Sequence, residues 1–230
     1  MSANNTPITG KGLLTSTQRS FLTLFSQLQD QNQFYLTGGT ALAEYYLGHR
    51  LSFDLDFFTG VDGLILPASY QIEKRAEAHG LQITVTRRFA TYVEFLLSDE
   101  QDSLKIDLAL DSPFRFEPPV PSTEGIWVNN YQDLIIDKLL AYYGRAEPRD
   151  AVDLYFILQN SSIEALIEKA RAKDPGFDLY WFVIALNRSS EFPDELDRWP
   201  VKMISGFDPV KLKADFQKLA FRFMDQLKKS

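Results

Sequence analysis

Apolar residues recur along the chain at two spacings, one typical of helices and the other of strands. The first helical stretch covers residues 15–29, where the apolar side chains fall on one stripe: Phe21, Leu22, Leu24, Phe25 and Leu28. A short strand is predicted at Phe34 to Leu36. A helix is then predicted from Thr40 to Leu47, because Gly48 is a typical helix stop.

Residues 51–58 alternate strictly between two faces, which predicts one continuous strand. One face is apolar and consists of Leu51, Phe53, Leu55 and Phe57. The opposite face consists of Ser52, Asp54, Asp56 and Phe58.

The next segments predict one helix and three further strands. The helix is Pro67–Ala78, with proline in its first turn and Gly80 after its end. The strands are rich in β-branched and aromatic residues or alternate in polarity, and a polar turn at Ser98–Ser103 separates the last two: Leu81–Arg88, Tyr92–Leu97 and Leu104–Leu110. A helix between strands, followed by consecutive strands, favours an α+β fold with a mixed sheet.

Prolines concentrate in residues 113–123, which predicts a boundary between two lobes. We expect an αβ lobe over residues 1–120 and a helical lobe over residues 121–230. The helices predicted after the boundary are Tyr131–Tyr143, Pro148–Gln159, Ile163–Ala172, Leu179–Asn187 and Val210–Leu227.

Composition narrows the class of protein. The chain has 230 residues, of which 45% are hydrophobic and 24% charged, as in ordinary globular proteins. It has no cysteine, which excludes disulfides and thiolate metal sites. No apolar run is long enough to cross a membrane, and the first residues lack the pattern of a secretory signal. We therefore expect a cytoplasmic protein with no membrane partner.

The net charge of −7 argues against binding to long polyanions, because phosphates are repelled by an acidic surface. No long DNA partner is expected. Lysine and arginine clusters are present, and most such clusters serve solubility. A focused contact with a small RNA stays open.

Asp54 and Asp56 are the most informative polar residues. Residues two apart on a strand point the same way, with Cα atoms about 6.5 Å apart. Two carboxylates so placed repel each other unless a cation lies between them, and Mg²⁺ prefers such oxygens. Asp107, on the polar face of a later strand, would supply a third carboxylate, although Asp111 is a nearby competitor. The alternative is that these aspartates line a solvated face of the sheet.

Gly38, Gly39 and Thr40 form the second candidate feature. Glycines let backbone N–H groups approach a phosphate closely, and the N-terminus of the following helix favours negative charge. In isolation, a plain tight turn would explain two adjacent glycines. Arg50, just before the aspartate strand, could reach a phosphate or pair with Asp56.

Three motifs in this order, GGT, HRLSFDLDFF and KIDL, resemble the nucleotidyltransferase superfamily. The match is closest to AbiEii-type proteins of abortive infection and type IV toxin–antitoxin systems, over residues 33–159. The resemblance implies a nucleotidyltransferase-like N-terminal lobe in which Gly38, Gly39 and Thr40 hold a triphosphate. It also implies that Asp54, Asp56 and Asp107 hold Mg²⁺.

The segment DLIIDKLLAYYGRAEPRDAVDLYFIL holds a second set of charges on a predicted helical hairpin. Its spacing places Lys138 and Arg145 on one face of the first helix, and Asp150 and Asp153 on one face of the second. A surface ion-pair network would also explain these charges. The family resemblance implies that Lys138 and Arg145 contact the nucleotide and that Asp150 orients the nucleophile or a basic group. It leaves Arg149 and Asp153 to hold the hairpin together. We expect this set to face the same cleft as the aspartates.

The sequence therefore predicts a magnesium-dependent nucleotidyltransferase that moves NMP from an NTP to an acceptor hydroxyl. The resemblance implies the toxin of a toxin–antitoxin pair, acting on tRNA or another small RNA and partnered by an antitoxin. Asp107 would bind a metal or help to deprotonate the acceptor. Two alternatives stay open: a non-catalytic nucleotide sensor or partner-binding protein on the same fold, and transfer to a small molecule or protein.

Overall fold

A computed structural model describes residues 6–98 and 103–229. The chain forms two compact units, Met1–Asp133 and Leu134–Ser230. The division into lobes after residue 120 stays a prediction. The two compact units divide later in the chain, between Asp133 and Leu134. Most of the predicted turn at Ser98–Ser103 lies outside the described residues.

The first unit combines short helices with a seven-stranded sheet. Its helices are α1 (Ser16–Phe25), α2 (Gly38–Ala41), which continues as a π-helix over Leu42–Leu47, α3 (Ile65–Ala78) and the start of α4 (Tyr131–Arg145). Its strands are β1 (Tyr35–Thr37), β2 (Arg50–Leu51), β3 (Leu55–Thr59), β4 (Gln82–Phe89), β5 (Tyr92–Ser98), β6 (Ser103–Leu110), β7 (Val120–Pro121) and β8 (Trp127–Val128).

The sheet has the strand order β4-β5-β6-β3-β1-β8-β7. Pairs β3–β6 and β1–β8 are parallel, and the other neighbours are antiparallel. The prediction of a mixed sheet in an α+β fold is thereby confirmed.

One face of the sheet is the core of the first unit. The side chains of Leu55, Phe57 and Ile106 are fully buried there. Phe25 of α1 stacks on Phe57 with 3.9 Å between ring centroids, so α1 covers this face. Because side chains alternate across a strand, the residues between these apolar positions point to the other face, where polar groups collect.

The predicted strand over residues 51–58 is wrong in its centre, because β2 and β3 are separate. Side chains satisfy the backbone between them: Thr40 Oγ1 donates to the Asp54 carbonyl at 2.5 Å, and Gln18 Nε2 donates to the Ser52 carbonyl at 2.9 Å. These carbonyls therefore need no neighbouring strand. Phe53, predicted on the apolar face, is 47% exposed.

One further prediction is wrong in its bounds. The helix expected from Thr40 begins at Gly38, so the two glycines form its first turn. The proline-rich segment, predicted as a lobe boundary, also contains β7, whose Val120 and Pro121 pair with β8.

The second unit contains most of α4 together with α5 (Pro148–Ile157), α6 (Ile163–Lys173), α7 (Leu179–Arg188), α8 (Pro209–Leu227) and the two-residue strand β9 (Lys202–Met203). The five predicted helices are confirmed, with ends that differ by up to two residues. Buried Tyr142 of α4 donates to the Ala185 carbonyl of α7 at 2.8 Å. No helix of the described part of the chain is long and apolar enough to span a bilayer.

Candidate active site

The polar face of the sheet brings the predicted carboxylates together. Asp56 on β3 stands opposite Asp107 on the parallel strand β6. Asp54 lies immediately before β3, two residues from Asp56. On the other side of β6, Glu94 of β5 stands opposite Asp107. Four acidic residues of intermediate burial therefore occupy one region of the sheet.

The two glycines pack directly against this region. Gly38 has a φ of +70°, a conformation that side chains rarely adopt, and a Cβ there would overlap the Asp56 carboxylate. A Cβ on Gly39 would lie 2.6 Å from Nη2 of Arg50 and 2.8 Å from Oγ of Ser52. Only glycine leaves the backbone of α2 this close to Asp56.

Thr40 is 2% exposed, and its hydroxyl is engaged with the backbone. The hydrogen bond to the Asp54 carbonyl ties the first turn of α2 to the residue before β3. In this structure Thr40 thus positions Asp54. Its predicted part in holding a triphosphate stays a prediction.

Asp107 is held by two side chains that the sequence did not single out. Tyr92 OH lies 2.9 Å from Asp107 Oδ1, and Lys105 Nζ lies 2.6 Å from Asp107 Oδ2. Tyr92 OH also lies 3.1 Å from Oε2 of Glu94. Burial, followed by the hydrogen bond to Asp107, raises the pKa of Tyr92, so the phenol keeps its proton.

Lys105 lies in the field of all three predicted carboxylates. Burial alone would lower its pKa, but the hydrogen bond to Asp107 and the charges of Asp107, Asp54 and Asp56 outweigh burial and raise it. Lys105 is therefore a cation among the carboxylates.

Asp111, the competitor for the third acidic position, has different partners. Tyr35 OH donates to its Oδ2, and Arg115 Nη1 lies 3.8 Å from the same oxygen. The register places Asp107, not Asp111, opposite Asp56. Asp107 is thus the better candidate on geometry.

The donor set can be compared with the needs of Mg²⁺. Asp54, Asp56 and Asp107 supply only carboxylate oxygens, the ligands that Mg²⁺ prefers, and two of the three are neighbours in register. Their chemistry therefore fits. Among residues 6–98 and 103–229, however, no three acidic or histidine side chains converge on one point. Asp107 is instead paired with Lys105 in this structure.

The helical unit forms two ion pairs from the second predicted set. Lys138 Nζ lies 2.7 Å from Oδ2 of Asp153, a pair with side-chain exposures of 9% and 0%. Arg145 holds Asp150 through two hydrogen bonds of 2.5 and 2.8 Å. Both pairs join α4 to α5, so these residues fasten the hairpin. That they also face the cleft of the aspartates stays a prediction.

Comparison with known proteins identifies the family of the chain. Residues 20–228 match the model of a family described as nucleotidyl transferase AbiEii toxin of type IV toxin–antitoxin systems. The chain belongs to the AbiEii family. It is therefore a nucleotidyltransferase, as the sequence motifs predicted.

Individual relatives agree with this placement. An uncharacterized protein of Aquifex aeolicus (strain VF5) is 30% identical over 164 residues, which cover 68% of this chain and 75% of the relative. The nucleotidyltransferase toxin MenT4 of Mycobacterium tuberculosis H37Rv has a TM-score of 0.61 at 21% identity, covering 91% of this chain and 82% of its own. JHP933 of Helicobacter pylori has a TM-score of 0.55 at 19% identity, covering 92% and 90%. The two solved structures share the fold.

Sequence reasoning missed three residues of this AbiEii protein: Tyr92, Glu94 and Lys105. Lys105 could have been found from its spacing, because it lies two residues before Asp107 and so shares its face of the strand. Tyr92 and Glu94 required the register of β5 on β6. Alternation alone did not provide that register.

The AbiEii protein also has a cavity of about 640 Å³ in its helical unit. It is formed by α5, α6 and α8, and its charged lining residues are Lys211, Asp215, Lys218 and Arg222. None of the predicted site residues lines it.

Proposed function

We propose that this chain is a magnesium-dependent nucleotidyltransferase that transfers NMP from an NTP to a hydroxyl of a small RNA. The observation that carries the proposal is the contact of the Gly38 backbone with Asp56, which itself stands opposite Asp107. The proposed phosphate-binding turn is thus a neighbour of the proposed Mg²⁺ ligands. Triphosphate chemistry needs both.

Each residue of this region has a proposed role. Gly38 and Gly39 let backbone N–H groups approach the β- and γ-phosphates, and Thr40 holds Asp54 in place. Asp54, Asp56 and Asp107 would hold Mg²⁺. When bound, the ion neutralises charge on the triphosphate and polarises the phosphorus that is attacked.

The reaction is an in-line displacement at the α-phosphorus. The acceptor oxygen forms a bond to the α-phosphorus while the bond from that phosphorus to the bridging oxygen of the β-phosphate breaks. Pyrophosphate leaves with the bonding electron pair, and the proton of the acceptor hydroxyl passes to solvent. The protein's contribution is positioning and electrostatic stabilisation.

The charged pairs of the helical unit have a proposed part as well. We assign Lys138 and Arg145 to the nucleotide and Asp150 to orientation of Arg145. The Asp150 carboxylate holds the Arg145 guanidinium at two points, which fixes its direction. A lysine ammonium carries three donors, so the pair of Lys138 with Asp153 is compatible with a phosphate contact.

The family description supports the biological role. Type IV toxin–antitoxin membership favours a toxin that has a cognate antitoxin and acts in the cytoplasm. An RNA acceptor, such as a tRNA 3′ end, is our proposed substrate. The net charge of −7 favours a small footprint on that RNA over an extended one.

The test is incubation with each α-³²P-labelled NTP, Mg²⁺ and total RNA, with wild type compared with Asp56→Ala. Wild type should label an RNA band, and Asp56→Ala should not, while both melt at similar temperatures. Asp62→Ala is the matched control, because Asp62 is an exposed aspartate of the same unit. It should transfer normally.

The alternatives predict different outcomes. Transfer by a folded Asp56→Ala protein would refute the site. NTP binding without pyrophosphate release would identify a nucleotide sensor, and release that does not depend on RNA would identify a small-molecule or protein acceptor.

A further inference from the structure

We propose that Lys105 competes with the divalent cation for Asp107, and that Glu94 receives the lysine ammonium when the cation binds. This inference rests on the proposed function, since it concerns the same carboxylates. It adds a residue that controls how tightly they bind a metal ion.

The backbone places Lys105 among the predicted ligands. The register pairs Leu55 with Ile106, and the residues just before them are Asp54, which precedes β3, and Lys105. Lys105 and Asp107 are two apart on β6 and share its polar face. The ammonium contacts Asp107 and is acted on by the charges of Asp54 and Asp56.

The contact with Asp107 is direct. Lys105 Nζ lies 2.6 Å from Oδ2, and the lysine side chain is 40% exposed while that of Asp107 is 13% exposed. An Mg²⁺ ion binds a carboxylate oxygen at about 2.1 Å. An ion and an ammonium cannot both lie at those distances on one side of the same oxygen, and their positive charges repel. Because the two positive charges repel each other, a metal ion bound at Asp107 favours movement of the ammonium away from Oδ2.

Glu94 offers the displaced ammonium a second carboxylate. Glu94 stands opposite Asp107 on β5, with a side chain that is 17% exposed. The hydrogen bond from Thr86, at 2.6 Å to Oε1, is the main reason that the pKa of Glu94 is lowered. Arg87, with Nε 3.9 Å from Oε1, and then Lys105 add their positive charges. Glu94 is thus a carboxylate within reach of the Lys105 charge.

Tyr92 connects the two carboxylates. Its hydroxyl lies 2.9 Å from Asp107 Oδ1 and 3.1 Å from Glu94 Oε2. A phenol has one proton and donates one full hydrogen bond at a time. When Lys105 moves to Glu94, the Tyr92 proton can stay with Asp107 and hold that carboxylate towards the metal.

The test is calorimetric titration of Mg²⁺ into the NTP-free protein. Lys105→Met removes the charge and keeps the length of the side chain. Because the competing cation is gone, the Kd for Mg²⁺ should fall about tenfold, a change of about 1.4 kcal/mol. Glu94→Gln should raise the Kd severalfold, because the displaced ammonium loses its acceptor. In the Lys105→Met background, Glu94→Gln should have little effect.

Controls separate this inference from general electrostatics and from the proposed function. Lys74→Met removes an exposed charge of the same unit and should leave the Kd unchanged. An equal or weaker affinity in a folded Lys105→Met protein would overturn the inference, while the site would stand if Asp56→Ala abolished binding. Absence of Mg²⁺ binding by both wild type and Lys105→Met would overturn the metal site as well. If Lys105→Met does not fold, Lys105→Gln is subject to the same criteria.

Discussion

Substitution of Gly38 by alanine tests the contact between the glycine turn and the carboxylates. Gly38 has a φ of +70°, and an added Cβ would overlap the Asp56 carboxylate. Two effects follow. The left-handed backbone costs a residue with a Cβ about 1–2 kcal/mol, and the Asp56 side chain must rotate away.

The chain offers a matched control for the backbone effect. Gly80, after α3, has a φ of +69°, and a Cβ there would meet nothing within 4 Å. Gly80→Ala should therefore lose about 1–2 kcal/mol of unfolding free energy, a fall in melting temperature of about 2–8 °C, and Gly38→Ala should lose at least as much. The clash with Asp56 is specific to Gly38.

The two variants should differ in catalysis. A displacement of about 1 Å in a reacting group can slow an enzyme about 100-fold, so we expect kcat/KM of Gly38→Ala to fall by about that factor. Gly80→Ala should stay within about twofold of wild type, since nothing in its surroundings belongs to the site. Transfer of α-labelled NMP to RNA, measured beside thermal melting, gives both quantities. Normal transfer by folded Gly38→Ala, or an equal loss in Gly80→Ala, would refute the reasoning.

Substitutions at Lys138 and at Thr40 test two buried polar contacts. Lys138→Met leaves Asp153, whose side chain is 0% exposed, without its 2.7 Å partner, and should lower the unfolding free energy by about 3–5 kcal/mol. Urea unfolding should show that adding Asp153→Asn recovers part of this loss, and no recovery would contradict a buried pair. Thr40→Val removes the hydrogen bond to the Asp54 carbonyl and should cost about 1 kcal/mol, whereas Thr40→Ser retains the hydroxyl and should cost less. Equal unfolding curves for the two Thr40 variants would show that the hydroxyl is not the support.

Sequence patterns were sufficient where one face of an element is buried and the other is polar. The alternation in Leu104–Leu110 predicted β6 because that strand lies inside the sheet with one face in the core. Alternation over residues 51–58 was equally clear, but the carbonyls there are taken by side chains distant in sequence. No local pattern reports such long-range hydrogen bonds. Two-residue strands such as Trp127–Val128 are too short to show any period.

The acidic residues of the candidate site were predictable because aspartate is unusual in an apolar strand. Aspartate is disfavoured inside apolar strands, so Asp54, Asp56 and Asp107 stood out without knowledge of the fold. Lys105 is ordinary on the polar face of a strand, and its importance depends on the strand beside it. The register of β6 against β3 and β5 is a tertiary property. For that reason the contacts of Lys105 and Tyr92 with Asp107 became visible only in the structure.

The central claim is nucleotidyl transfer, and the position of the radioactive label in the NTP tests it most directly. Parallel reactions contain the same NTP labelled at the α- or at the γ-phosphate, with Mg²⁺ and total RNA, and compare wild type with Asp56→Ala. The account predicts that RNA acquires the α-label alone, that the γ-label leaves as pyrophosphate, and that Asp56→Ala does neither. Transfer of the γ-label to RNA, or its release as orthophosphate without any transfer of the α-label, would contradict it.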